Sequence, residues 1–77
     1  MIKNKMMSED IWRIIFSKRL KERLAVLDMK QVELAIATNM SEPAISRLVN
    51  GWKTPSAYDL SRIACALGCS VSDLAEM

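Results

Sequence analysis

Apolar positions recur along this chain at intervals of three and four, the period of an α-helix that buries one face. Trp12, Phe16, Leu20, Leu24 and Leu27 form one such stripe, and the spacing predicts a helix from about Ser8 to Leu27. Ser8 offers an N-cap hydroxyl, and Glu9 and Asp10 set negative charge against the positive end of the helix dipole. A connection at Asp28-Met29-Lys30 leads to a short helix from Gln31 to about Thr38, with Leu34, Ala35 and Thr38 on one face. Asn39-Met40 reads as a tight turn, because asparagine tolerates left-handed backbone better than most residues with a Cβ. A third helix is capped by Ser41 and carries Pro43 in its first turn, where a missing N–H costs nothing. Gly51 ends it, and Ile45, Leu48 and Val49 form its inner face. Ser56 and Asp59 cap a fourth helix striped by Leu60, Ile63, Ala64 and Leu67 and closed by Gly68. Ser70 and Asp73 repeat the device for a fifth, with Val71 and Leu74 directed inward. Strand signals are absent, so the pattern predicts an all-α fold. Residues 1–7 are expected to be disordered or loosely ordered, and residues 8–77 to form a single domain.

The first helix departs from simple two-sidedness. Ile11, Ile14 and Ile15 centre well away from the Phe16–Leu27 stripe at about 100° per residue. Either a long helix wraps the domain's own core, or Ile11 and Ile15 meet a second copy of the chain.

Composition narrows the chemistry. With 77 residues, the chain holds one small core and little room for an enclosed ligand pocket. Hydrophobic residues at 51% and charged residues at 26% are globular proportions. No apolar run approaches the roughly 20 residues of a membrane span. The charged start meets acidic residues before any apolar stretch, which is not the pattern of a secretory leader. There is no histidine, which removes the commonest general base and the commonest metal ligand together. Cys65 and Cys69 fall short of a zinc site and read as ordinary buried or half-buried thiols of a cytoplasmic protein. No enzyme, cofactor, metal, membrane or small-molecule ligand is therefore expected. The net charge of +2 hides an asymmetry: residues 1–30 balance at +4 and residues 31–77 at −2. Lys18, Arg19, Lys21 and Arg23 form a basic run that reads mainly as a solvated face. Such a balance permits a nucleic-acid partner without demanding one. RNA is a poor fit, since one tyrosine and one phenylalanine make no stacking platform.

The third helix carries the informative chemistry. Its outer face offers Glu42, Pro43, Ser46, Arg47 and Asn50 where an idle surface helix carries lysine and glutamate. Arginine can chelate guanine, a carboxylate can accept from cytosine, and an apolar ring can touch a thymine methyl. Arg47 reads as a base contact or a phosphate contact. Glu42 either accepts from a base or repels unsuitable sequences. Trp52, just past Gly51, could pack, meet a second subunit or touch DNA.

The stretch from Gln31 through Leu34-Ala35, Ile45, Arg47-Leu48 and Asn50-Gly51 resembles the helix-turn-helix of Cro/CI-type phage repressors and their bacterial relatives. Pro55-Ser56 and Ala66-Leu67-Gly68 extend the likeness across about residues 16–76. The resemblance implies a compact five-helix, lambda-repressor-like domain with the helix-turn-helix at about 31–50 and, here, an extended N-terminal helix. It also implies roles. Gln31 matches a glutamine that clamps a phosphate, although it also serves as a plain helix start. Ser41, Glu42, Pro43, Ser46 and Arg47 match base-reading positions, and Lys30, Asn50 and Lys53 match phosphate positions. Lys30 stands where the family usually has a capping side chain, and Asn39 where it usually has glycine. The expected function is a cytoplasmic, sequence-specific regulator of double-stranded DNA, a repressor acting as a homodimer on an inverted repeat. The alternative is an antitoxin-type module whose main partner is another protein.

Overall fold

The computed structural model describes residues 8–75, so the expectation for residues 1–7 lies outside it. Five helices follow one another: α1 (Glu9–Leu27), α2 (Gln31–Thr38), α3 (Glu42–Val49), α4 (Ala57–Leu67) and α5 (Val71–Ala75). No strand occurs among the described residues.

Local chemistry sets the ends of these helices. Ser8, Ser41 and Ser56 each accept a hydrogen bond from the backbone N–H three residues on, at 3.2, 3.2 and 3.1 Å. Each thereby satisfies one of the unpaired donors of a first turn. At α5 the exchange is reciprocal: Asp73 N–H donates to Ser70 Oγ, and Ser70 N–H donates to the Asp73 carboxylate. The Ser70 N–H, and then the Ser70 hydroxyl, hold the Asp73 carboxyl below the ordinary aspartate value, with the Arg23 charge adding a little. Three helices stop at a residue in left-handed conformation: Asp28 (φ 53°), Asn39 (φ 58°) and Gly68 (φ 70°).

Phe16, Leu20, Leu34, Ile45, Leu48, Ile63 and Leu74 are fully buried and join all five helices in one core. α1 lies along α3, α4 and α5, while α2 packs on both α3 and α4. Trp12 is half-buried and stacks on Phe16, with ring centroids 5.3 Å apart. Two expected core residues stand outside. Leu27 is 43% exposed, because the last turn of α1 projects beyond the packed layer. Val71 is 40% exposed, because a five-residue helix turns one side chain inward, and that one is Leu74. The thiols are free, and Cys65 is exposed rather than buried.

Candidate nucleic-acid interface

α2 and α3 form the centre of the site, and the connection between them is short and fully bonded. Met40 N–H reaches back to Ala35 O at 3.0 Å and Asn39 N–H to Ile36 O at 3.2 Å. This is the paired closure that a left-handed residue makes possible at a helix end. Thr38 turns its hydroxyl onto Leu34 O at 2.7 Å, so the buried oxygen is satisfied. Ala35 is buried where α2 approaches its neighbours.

Arg62 is a residue that sequence reasoning missed. From α4 its guanidinium donates to Thr38 O at 2.9 Å, at the negative end of α2 and beside the turn. It also bonds the Asp59 carboxylate at 2.7 Å and lies over the Tyr58 ring, 4.6 Å from the centroid. The Arg62 hydrogen bond holds the Asp59 carboxyl below its ordinary value, against the small opposing effect of burial. Arg62 therefore fixes the corner from which α3 departs. An aspartate three positions before an arginine is the signal that could have found it.

The far end of α3 is held by α1. Ser17, buried in α1, donates to Val49 O at 2.6 Å. Gly51 has φ 74°, and a Cβ there would sit 3.5 Å from Ser17 Cβ, so the chain turns closely over α1. Farther along, Thr54 Oγ1 donates to Glu9 Oε2 at 2.5 Å.

Held at both ends, α3 buries Ile45, Leu48 and Val49. Glu42, Pro43 and Arg47 are exposed, with Ser46 half-buried on the same side. Among the described residues Glu42 and Arg47 make no ion pair or side-chain hydrogen bond, whereas Arg13 and Arg62 are both tied to carboxylates. Asn50 behaves differently. Its amide donates to Ser46 O at 2.8 Å and to Ser46 Oγ at 3.3 Å, so it finishes the helix as well as facing solvent. Lys30 and Lys53 are exposed, and Gln31 is half-buried at the positive end of α2. The Lys30 ammonium cannot accept a capping bond; Glu33 Oε1 takes the Lys30 N–H at 2.7 Å instead.

Of the three residues expected at a subunit contact, Ile11 and Ile15 lie on α1, apart from this face, and Trp52 follows the end of α3, its N–H bonded to Arg47 O at 2.9 Å. Ile11 is 51% exposed and Ile15 half-buried on α1, so the outer isoleucines are not wrapped into the core. Trp52 is 73% exposed, which overturns packing as its role. No group of three metal-binding side chains occurs among the described residues, and none of their helices is long and apolar enough to cross a membrane.

Two short helices joined by a bonded turn, the second presenting a polar face, define a helix-turn-helix protein. Residues 19–77 match the model of the Cro/C1-type HTH DNA-binding domain, and the chain belongs to that family. Its fold is similar to that of a hypothetical transcription factor, NHTF, from Neisseria. The TM-score is 0.81 at 16% identity, over 97% of this chain and 86% of that one. No sequence among the curated proteins compared with it matches.

Proposed function

We propose that this protein is a non-enzymatic, cytoplasmic transcription regulator that reads double-stranded DNA through α3 and represses by occupying its site. The observation that carries this reading is the outer face of α3. Glu42, Pro43 and Arg47 project from a helix held by a cap, a bonded turn and α1, and Glu42 and Arg47 are engaged by nothing else in the described protein. Hydrogen-bonding groups kept rigid and unspent suit the edges of bases in a major groove, which admits one α-helix.

In this arrangement Ser41, Glu42, Pro43, Ser46 and Arg47 face bases. Lys30, Gln31, Asn50 and Lys53 surround them and meet phosphates. The firmest of these is Gln31, because the first turn of α2 already directs N–H groups toward an anion. So few cationic groups give weak non-specific binding, on the order of 10⁻⁴ M at physiological salt. A homodimer on half-sites roughly 34 Å apart supplies the missing affinity and makes the operator an inverted repeat. In this reading repression is steric, the bound dimer occupying the duplex that another protein would need.

Selection of duplexes from a random pool at low salt tests the proposal. The expected product is an enriched inverted repeat whose half-sites lie one helical turn apart. A pool with no enriched motif defeats the reading.

A further inference from the structure

The outer face of α1 matches its own reverse. Asp10, Ile11, Ile14, Ile15, Lys18 and Lys21 lie away from the Phe16–Leu24 stripe, at about 100° per residue. Acid comes first, three isoleucines follow, and lysines come last. Ile14 is 58% exposed and Ile11 half as exposed as in an open chain, an apolar cluster with nothing of the described protein over it. Exposed apolar side chains also occur on α2, at Val32 and Ile36, but no basic group follows them there.

We infer that two copies of the chain pair through this face, α1 against α1 in antiparallel sense about a two-fold axis at Ile14. A two-fold contact uses the same patch on both subunits, so a patch must complement itself when reversed. This one does. With Ile14 meeting its own copy, residue 10 of one chain stands level with residue 18 of the other. Asp10 then faces Lys18 twice, and the lysine stems lie over Ile11. Asp10 already bonds Arg13 within its own helix, yet its side chain is 80% exposed and keeps a carboxylate oxygen for a partner. Lys18 is exposed and has no partner among the described residues. Antiparallel helices also oppose their dipoles favourably.

The pairing rests on the homodimer reading, and the test separates the two. Sedimentation equilibrium of the full chain, over a range of concentrations, is compared for wild type, Ile14→Glu, Asp10→Lys, Lys18→Asp and the last two combined. Circular dichroism reports whether each variant keeps its helices, as expected for exposed positions. The wild type is expected to be dimeric, and Ile14→Glu to weaken the dimer by about tenfold or more. Each single charge change weakens it a few-fold, and the combined variant recovers to within about twofold of wild type. That recovery is not expected of a residue that merely supports the fold. Undiminished dimers of Ile14→Glu, or no recovery in the combined variant, overturn this surface and leave the homodimer reading intact. A wild type that stays monomeric throughout overturns both.

Discussion

α1 and α3 each turn apolar side chains inward, and they differ in what they turn outward. On α3 the outer groups are mostly polar, and among the described residues Glu42 and Arg47 make no ion pair or side-chain hydrogen bond. On the first turns of α1 they are isoleucines between an acid and lysines. The Ser17–Val49 hydrogen bond ties the two helices together, so neither face exists without the other's support. Water hydrates the α3 face at little cost, and that hydration is replaced only by a partner with matching donors and acceptors. The α1 face pays for its exposure at all times and is relieved by any complementary apolar surface. An unspent polar face therefore favours selective recognition, while an uncovered apolar face favours permanent association.

The comparison breaks first at the shared core. Phe16→Ala removes the fully buried ring that anchors α1 and is expected to cost about 3–5 kcal/mol, read by denaturant unfolding. That is a large share of a domain this size, at roughly 0.1 kcal/mol per residue, and both faces should fail together. A loss under about 1 kcal/mol would show that the faces do not depend on one core.

Arg47→Ala sharpens the contrast. Stability should change by no more than about 0.5 kcal/mol, because the exposed Arg47 side chain makes no hydrogen bond or ion pair among the described residues and contributes only its charge to the last turn of α3. Affinity for a selected duplex should fall by about 1–3 kcal/mol and discrimination should relax at one base pair, measured by competition binding. An equal loss on random DNA would reassign Arg47 to a phosphate. Ser41→Ala removes the cap that starts α3 and should lower stability by about 1 kcal/mol in a thermal melt.

Acid gives the smallest effect. Asp59 and Asp73 have carboxyls held below the ordinary value of 3.8 in the folded protein. Their stabilisation is complete above that value and is lost as pH falls through it toward the lowered folded values. Melting temperatures should hold down to about pH 5 and then decline, and Asp59→Asn should make the decline shallower.

Much of this architecture was legible because short-range chemistry writes it. The serines at 8, 41, 56 and 70, the left-handed turn at Asn39 and the stops at Gly51 and Gly68 all act within a few residues. The five helices and the inner face of α3 follow from them. What escaped depends on contacts between distant segments. Arg62 reaches Thr38 across 24 positions and Ser17 reaches Val49 across 32, and no periodicity announces either. Burial at the ends of helices escaped for a related reason. Leu27 and Val71 keep the right spacing, but the neighbours needed to cover them are missing. Asp28 also adopts the left-handed stop that its sequence position did not advertise.

The separation of duties within α3 has an evolutionary consequence. Ile45, Leu48 and Val49 maintain the domain, while Glu42 and Arg47 add only the small effect of a charge at a helix end and make no side-chain hydrogen bond or ion pair among the described residues. Mutations at those two positions carry only a small penalty in thermostability. If α3 reads bases as proposed, a lineage carrying this scaffold can be retargeted by drift in a handful of codons, the interior remaining untouched.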